Sequence, residues 1–310
     1  MTLRSLTSEL QKVANDELHE DVNRMQSDIE DIQKWIEKQP YLNIKIDEQL
    51  LVTFLRGCKW SLQKTKDKIQ YFYAIRSLLP EFFENRDPFL PEIQNLLTKG
   101  LFLPLPKTKT LVGPTICLLR ISTIPEEMNL NIICKYFFML HDILLNEDDK
   151  FVIAGMVLLI DYTDVPLKLL TQVTPGFLKK FFVTFEKAYP LRIKNFIGMN
   201  TPKIIEGLYN NVIRLLCSEK LRNKLLIVTS NNTQLVYDKV DKDLFPVEYG
   251  GKNGSLEELS RQWKMKVESY KNWFLEDSKN VSNQKIRIDT FKTYNDEFGM
   301  EGSFRKLIID

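Results

Sequence analysis

The chain has 310 residues, of which 44% are hydrophobic and 27% are charged, and its formal net charge is +2. This length allows two domains, or one domain with a substantial appendage, and a core large enough to contain a cavity. So small a net charge excludes binding to nucleic acid through overall charge, and any basic site must therefore be local.

The N-terminal third of the chain has the hydrophobic period of amphipathic helices. Helices are predicted at residues 10–38, 47–56 and 61–79. Ser61 is predicted to cap the third of these helices, and Pro80 is predicted to end it. Several prolines between positions 88 and 106 then interrupt the period. The pattern predicts an all-helical domain over residues 1–95.

Beyond residue 95 the pattern changes to short apolar runs separated by helical segments, which is typical of parallel strands joined by crossover helices. Strands are predicted at residues 115–122, 153–161, 194–199 and 225–230, and helices at residues 128–146, 174–188 and 203–216. Ser255 is predicted to cap a final helix. The fold class is therefore α/β, with a mostly parallel sheet and flanking helices over residues 96–275 and a polar C-terminal tail over residues 276–310.

Two pairs of basic residues lie on either side of an apolar segment, residues 202–216. Arg192 and Lys194 are two positions apart, so a strand presents both on one face. Lys220 and Lys224 are four positions apart, so a helix stacks both on one side. If the fold brings the two pairs together, they form a site for a multiply charged anion. The apolar segment between them requires a large apolar partner.

Residues typical of catalytic and metal sites are scarce. His19 and His141 are the only histidines, and the glycines near the C-terminus do not form a phosphate-binding loop. The four cysteines are widely spaced, which favours buried free thiols over disulfides or a zinc site. We expect no enzyme activity, no cofactor and no metal. The polar N-terminus and the lack of a long apolar run predict a cytoplasmic protein with peripheral membrane contact.

The chain resembles the CRAL-TRIO family of lipid-transfer proteins, particularly the branch that contains alpha-tocopherol transfer protein and cellular retinaldehyde-binding protein. The resemblance rests on several motifs in the family's order, including a Phe-Leu-Arg turn in the N-terminal part and a Phe-Pro-x-Glu-Tyr-Gly-Gly turn in the C-terminal part. These motifs lie at residues 47–60, 174–175, 188–194, 200–202 and 245–251. Residues 298–307 are also similar to the tail of arthropod members of the family.

The resemblance implies a carrier of a small hydrophobic ligand, such as a tocopherol, a retinoid, a carotenoid or a similar terpenoid. It places this ligand between the sheet and a mobile lid helix formed by residues 202–216, with lid contacts from Ile204, Ile205, Leu208, Val212 and Ile213. The remaining residues expected to line the pocket are Phe138, Leu140, His141, Asp142, Val157, Leu159, Phe181, Phe185 and Phe196. His141 and Asp142 are the polar groups expected to bind a ligand hydroxyl or carbonyl.

In the tocopherol-transfer branch, four basic residues hold the head group of a phosphatidylinositol bisphosphate. The matching positions in this chain are Arg192, Lys194, Lys220 and Lys224. Arginine suits bidentate contact with phosphate, and lysine supplies a flexible point charge. The resemblance therefore implies a phosphoinositide-containing membrane surface as a partner. The sequence identifies no protein partner.

One position departs from the family pattern. Relatives commonly have glycine where this chain has Asp164, and a turn that needs positive φ accepts aspartate less readily than glycine. The ligand therefore need not be tocopherol. Two other functions stay open, namely exchange of phosphatidylinositol and phosphatidylcholine, and an adaptor in which the pocket is only structural.

Overall fold

The computed structural model describes residues 3–283 of the chain. Its N-terminal part is helical and contains a short strand. The elements are α1 (Ser8–Leu18), α2 (Met25–Glu37), β1 (Leu42–Asn43), α3 (Glu48–Gly57), α4 (Leu62–Leu78), α5 (Pro80–Phe83) and α6 (Pro91–Lys99). Ser61 accepts a hydrogen bond from the Lys64 N–H, which confirms the predicted cap of α4.

The predicted single helix over residues 10–38 is wrong, because the structure has two helices there. Helix α1 ends at Leu18, and His19 caps it in the left-handed conformation with a φ of 62°. The break leaves Glu20 buried, where Arg56 donates to its carboxylate at 2.8 Å. Hydrophobic period alone did not reveal the break, since both halves keep similar apolar spacing.

A sheet of five strands follows the helical part. Its strands are β2 (Phe102–Pro104), β3 (Thr115–Arg120), β4 (Met156–Asp161), β5 (Ile193–Met199) and β6 (Leu225–Ile227), in that spatial order. The last four are parallel, as predicted, whereas β2 runs antiparallel to β3 and was not predicted. Proline is accepted in an edge strand, so Pro104 does not break β2.

Helices cover both faces of this sheet. They are α7 (Leu130–Glu147), α8 (Asp149–Ile153), α9 (Leu167–Thr171), α10 (Pro175–Val183), α11 (Lys203–Leu208), α12 (Arg214–Leu216), α13 (Glu219–Arg222), α14 (Gln234–Tyr237), α15 (Leu256–Ser269) and α16 (Lys271–Asp277). A π-helical turn, Thr184–Ala188, extends α10, and another, Tyr209–Ile213, joins α11 to α12. Ser255 caps α15 by accepting from the Glu258 N–H, as predicted. Strand β7 (Val281–Ser282) pairs antiparallel with β1.

A buried ionic network joins the N-terminal helices to the sheet domain. Asp142 on α7 accepts hydrogen bonds from Arg76 at 2.6 Å and from Arg86 at 2.7 Å. Arg86 also donates to Asp277 at 2.7 Å, and the Tyr189 hydroxyl donates to Asp142 at 2.7 Å. Because all of these groups are buried, the contacts hold four separate parts of the chain in one arrangement.

The predicted domain limits at residues 95 and 275 fall inside continuous helices, α6 and α16. The division into domains therefore stays a prediction. The arthropod-like segment 298–307 lies outside the described residues. The four cysteines are free and buried, as predicted.

Candidate functional site

An apolar cavity of about 170 Å³ lies between the sheet and the lid segment, residues 202–216. Strand residues Leu158 and Ile160 form its floor, and α7, α9 and α10 form its sides. Five of the predicted pocket and lid residues line it, namely Phe181, Phe196, Ile205, Leu208 and Ile213. The structure thus brings part of the predicted site together.

The lid segment has a buried face and an exposed face. Ile205, Tyr209 and Ile213 are four positions apart and all point inward, as helical spacing requires. Ile204 and Leu215 lie on the outer face, where they are 60% and 75% exposed. The predicted lid residue Val212 is partly buried against the main core but does not line the cavity.

Two tyrosines supply polar groups inside the cavity. The hydroxyls of Tyr162 and Tyr209 lie 2.9 Å apart, and both side chains line the cavity. Burial raises the pKa of Tyr162 to about 12, and it also raises the pKa of Tyr209. Both phenols are therefore protonated at neutral pH. One hydroxyl donates to the other, which leaves the second proton for another acceptor.

Sequence reasoning missed both tyrosines, although a signal for Tyr209 was present. Tyr209 lies midway between Ile205 and Ile213, so the helical spacing that selected the isoleucines also selects it. Tyr162 directly follows β4, and the sequence gives no spacing that connects it to the lid.

Val157 and Leu159, which were predicted to line the pocket, do not line the cavity. They point to the opposite face of the sheet, where they pack in a second core with Val236, Phe245 and Leu259. Successive strand residues alternate between faces, so the selection of these two residues was off by one position.

Four predicted residues on α7 lie elsewhere in the core. The cavity is lined by Ile133, Cys134 and Phe137, so the helical period turns the predicted positions away from it. The displaced residues are Phe138, Leu140, His141 and Asp142. The predicted polar contacts to a ligand are therefore not available from His141 or Asp142 in this structure.

Each of these two polar residues has a structural role. Asp142 belongs to the ionic network with Arg76 and Arg86. The His141 Nδ1 lies 2.8 Å from the Phe137 carbonyl oxygen, and the ring packs at a centroid distance of 5.1 Å from Phe102. Burial lowers the pKa of His141 to about 4, so the ring is neutral at pH 7.

Phe185 and Phe138 also pack outside the cavity. Phe185 stacks on Phe181 with ring centroids 5.6 Å apart, and Phe138 stacks on Tyr189 at 5.0 Å. Phe185 lines a second space, a mixed groove of about 510 Å³ beside the end of the lid segment. This groove is bordered by apolar residues such as Phe182 and by Glu186, Lys187, Lys220 and Lys224.

The turn after β4 contains Asp164 at the position where the sequence resemblance implies glycine. Asp164 has a φ of 48°, so it adopts the left-handed conformation. The neighbouring Asp161 accepts hydrogen bonds from Asn200 at 2.8 Å and from the Tyr249 hydroxyl at 2.6 Å. These contacts hold the cavity edge although glycine is absent.

The four predicted basic residues converge on one cleft of about 530 Å³. We call it the basic cleft, and its cationic residues are Lys59, Lys64, Lys68, Lys187, Arg192, Lys194, Lys220 and Lys224. Of the additional lysines, Lys59 lies in the turn after α3, and Lys64 and Lys68 lie on α4. Sequence reasoning missed them because only the tertiary fold brings α3 and α4 next to β5.

A close backbone contact makes this approach possible. A Cβ atom added at Gly57 would lie 2.4 Å from the Pro190 carbonyl oxygen, so only glycine allows the end of α3 to lie against the chain before β5. Lys59 follows two residues later and Arg192 follows Pro190 by two. The contact therefore places the two cations at the same cleft.

Two lysines in the basic cleft have lowered pKa values. Burial lowers the pKa of Lys68, whose Nζ donates to the Glu186 and Tyr189 carbonyl oxygens at 2.9 and 3.2 Å. Burial also lowers the pKa of Lys224, and the nearby charges of Lys220 and Lys194 lower it further. Mutual repulsion of this kind is relieved when an anion binds.

Two classes of feature are absent from the described part of the chain. No helix within residues 3–283 has both the length and the apolar character needed to cross a membrane. The same residues contain no group of three or more His, Cys, Asp or Glu side chains arranged to hold a metal ion.

Comparisons with known proteins identify the two parts of the chain. Residues 21–93 match the family described as Pinta-like, UBA domain, and residues 108–251 match the family described as CRAL/TRIO domain. The alpha-tocopherol transfer protein-like protein of Mus musculus is 26% identical over 257 residues, which cover 83% of this chain and 74% of that protein. Clavesin-1 of Xenopus laevis is 24% identical and covers 76% of this chain and 70% of its own length.

A solved structure has the same overall fold. The crystal structure of Sfh5 superposes with a TM-score of 0.51 at 13% identity, and the match covers 83% of this chain and 92% of that chain. Since the family match covers strands β3 to β6, the cavity and the four predicted cations of the basic cleft, residues 108–251 form a CRAL/TRIO domain.

Proposed function

We propose that this protein carries a small hydrophobic ligand and docks on a phosphoinositide-containing membrane to release it. The observation that carries the proposal is the apolar cavity closed by the lid segment and accompanied by a basic cleft. The name of one relative, alpha-tocopherol transfer protein-like, agrees with a carrier function. Tocopherols, retinoids and carotenoids have the apolar surface that such a cavity buries.

Ligand binding requires the cavity to widen. Its volume of about 170 Å³ is below the roughly 300–1,000 Å³ of ligand pockets that enclose drug-sized molecules. The lid segment is the movable wall, because its outer face has no partner among the described residues. Opening exposes Ile205 and Ile213, and full burial of each side chain contributes about 1.5–3 kcal/mol to stability. A bound ligand or a bilayer must therefore contact these side chains when the lid opens.

A membrane supplies such a surface. Ile204 and Leu215 on the lid segment are exposed, and Leu167 on α9 is 72% exposed. Apolar side chains of this kind insert into the interfacial region of a bilayer, while basic residues bind anionic head groups. Docking through the lid and the basic cleft couples membrane contact to lid opening.

Native mass spectrometry of the purified protein, followed by solvent extraction, tests the carrier function. We expect one apolar terpenoid-sized molecule per chain. A phospholipid in its place would support the exchange function. The mixed groove favours this alternative because it is lined by both Phe182 of the cavity and Lys220 of the basic cleft. A protein that contains no ligand and takes up none would contradict both functions and favour the adaptor.

Vesicle sedimentation tests the docking step separately. Lys220→Ala is expected to weaken binding to bisphosphate-containing vesicles by about fivefold, since each basic residue near an anionic surface contributes about 1 kcal/mol. Lys239→Ala is the matched control, because Lys239 is exposed and lies outside the cleft. Equal binding by both variants and the wild type would overturn the docking step but leave the carrier function standing.

A further inference from the structure

An acidic side chain from α1 already binds two of the cations that line the basic cleft. Glu17 Oε2 lies 2.5 Å from Arg192 Nη2 and 3.4 Å from Lys194 Nζ. These two cations are half of the basic set that is predicted to bind a head group. Helix α1 precedes residues 21–93 and 108–251, the ranges that match the two families. Glu17 is thus a feature of this chain that neither family match covers.

The position of Glu17 is fixed by the packing of α1. Leu10, Ala14 and Leu18 bury one face of the helix against Ile153. Arg4 ties the start of the chain to Asp149 at 2.7 Å, outside that apolar contact. Since the helix backbone is held on both sides, the carboxylate of Glu17 reaches the cleft without a change in the fold.

The next residues reinforce this placement. Glu20, two residues beyond Leu18, is bound by the buried Arg56, and Arg56 also binds Asp149 at 2.7 Å. The end of α1 is therefore anchored immediately after Glu17. The side chain of Glu17 itself is 47% exposed, so it can leave the cleft by rotating toward solvent.

Glu17 is charged and competes with any incoming anion for the hydrogen-bond donors of Arg192. The hydrogen bond from Arg192 holds the pKa of Glu17 below its usual value, so the carboxylate is ionised at neutral pH. The Nη1 of Arg192 donates to the Ile153 carbonyl oxygen, which leaves the Nη2 side facing Glu17. An incoming anion must displace Glu17 to reach the outward donor of Arg192.

The charge of the incoming group decides whether displacement is favourable. A phosphodiester carries one negative charge, which equals the charge of the carboxylate it must replace. A phosphate monoester carries about −1.5 to −2 at pH 7 and offers three acceptor oxygens. Only the monoester therefore brings more charge and more hydrogen-bond acceptors than Glu17 already provides.

We propose that Glu17 is a specificity-determining residue that competes with lipid head groups for Arg192 and Lys194. Membrane lipids with phosphate monoester groups displace it, whereas lipids with a single phosphodiester charge do not. This inference rests on the proposed docking function. It deepens that function by naming the head-group chemistry that the basic cleft accepts. It also assigns α1 a role in selection rather than in ligand enclosure.

Glu17→Gln tests the inference, with Asp16→Asn as the matched control. Both changes remove one negative charge from neighbouring exposed positions on α1, but among the described residues it is Glu17, and not Asp16, that pairs with Arg192 and Lys194. Sedimentation is measured with phosphatidylcholine vesicles that contain either phosphatidylserine or phosphatidylinositol 4,5-bisphosphate at equal surface charge. Soluble inositol trisphosphate is added in a separate arm to distinguish head-group recognition from attraction to the surface.

The wild type is expected to prefer the bisphosphate vesicles. In Glu17→Gln, binding to phosphatidylserine vesicles is expected to rise by about thirtyfold, because two basic residues become available to the surface, whereas Asp16→Asn leaves the preference unchanged. Soluble inositol trisphosphate is expected to displace the wild type from the bisphosphate vesicles.

The possible contrary results are distinguishable. An unchanged preference in Glu17→Gln, or an equal change in both variants, would overturn the role of Glu17 while the docking function stands. A failure of inositol trisphosphate to compete would also overturn it, because attraction to the surface would then explain binding. A wild type that binds neither kind of vesicle would overturn the docking function itself, and the inference with it.

Discussion

The phenol oxygens of Tyr162 and Tyr209 lie 2.9 Å apart and join the end of β4 to the middle of the lid segment. Both rings are buried and both line the apolar cavity. This hydrogen bond is therefore a contact that closes the cavity and also a polar group that a ligand meets inside it. Lid opening must break it.

Removing this bond is expected to speed ligand exchange. Tyr209→Phe keeps the ring but deletes one hydroxyl, and a net hydrogen bond contributes about 1 kcal/mol, which corresponds to an increase of about fivefold in the open population. The measurement is the transfer rate of a fluorescent apolar probe from the protein to vesicles.

Two further variants isolate the effect. Tyr162→Phe is expected to match Tyr209→Phe, and the double variant is expected to exchange no faster than either, because all three lack the same bond. Tyr237→Phe on the opposite face of the sheet is the control. Additive rates in the double variant would show that the two hydroxyls do not act as a pair.

His141 is expected to make stability depend on pH. Burial lowers its pKa to about 4, below its ordinary value of 6.5, so the unfolded chain binds a proton in a range where the folded chain does not. The stability contribution is present above pH 6.5 and is lost as the pH falls toward 4. At pH 4.5 the loss from this residue is about 2 to 3 kcal/mol, at about 1.36 kcal/mol per pKa unit.

Urea unfolding of the wild type and of His141→Phe at pH 7 and pH 4.5 measures this dependence. Other groups titrate equally in both proteins. The quantity of interest is therefore the difference between the free energy of unfolding that the wild type loses and the free energy that the variant loses. The variant is expected to lose about 2 to 3 kcal/mol less than the wild type over this interval. Equal losses of stability in the two proteins would mean that His141 is protonated in the folded protein at pH 4.5.

The family and the parallel sheet could be predicted because they depend on local order along the chain. The spacing of Arg192 and Lys194 on a strand, and of Ile205 and Ile213 on a helix, follows from chain geometry alone. Both pairs lie where such spacing requires, at the basic cleft and at the cavity.

The errors arise where several neighbouring residues are all apolar. In β4, Val157, Leu158 and Leu159 are buried on both faces of the sheet, so hydrophobicity does not show which of them face the cavity. Residues 130–145 of α7 are buried almost all round, and the cavity-facing side again has no distinct pattern. Which side a residue faces was decided by packing between distant elements.

Asp142 is expected to support stability rather than ligand binding. Asp142→Asn removes the charge that neutralises Arg76 and Arg86 in a buried site, and breaking a buried ion pair costs about 3–5 kcal/mol. The measurements are urea unfolding and the amount of ligand extracted per folded chain. Asp31→Asn at an exposed position is the control, with a change within about 0.5 kcal/mol.

A stable Asp142→Asn variant would show that the ionic network contributes little to folding. Loss of ligand from a folded and stable variant would instead return Asp142 to the cavity wall, where the sequence resemblance placed it.

Gly57 and Gly207 are expected to respond in opposite directions to the same change. A Cβ at Gly57 would lie 2.4 Å from the Pro190 carbonyl oxygen, so Gly57→Ala must move the end of α3 away from the chain that leads into β5. Lys59 then moves away from Arg192. We expect lower stability, by about 1–3 kcal/mol as for other overpacked sites, and weaker binding to bisphosphate vesicles.

Gly207→Ala is the matched control because, apart from its chain neighbours and its own helix backbone, no heavy atom lies within 4 Å of the added Cβ. Gly207 belongs to α11 of the lid segment, where alanine stabilises a helix by roughly 0.5–1 kcal/mol relative to glycine. Thermal unfolding and vesicle sedimentation of both variants give the comparison. Full stability and full vesicle binding in Gly57→Ala would contradict this role of Gly57. The N-terminal lysines would then reach the basic cleft without the close contact between α3 and the Pro190 carbonyl.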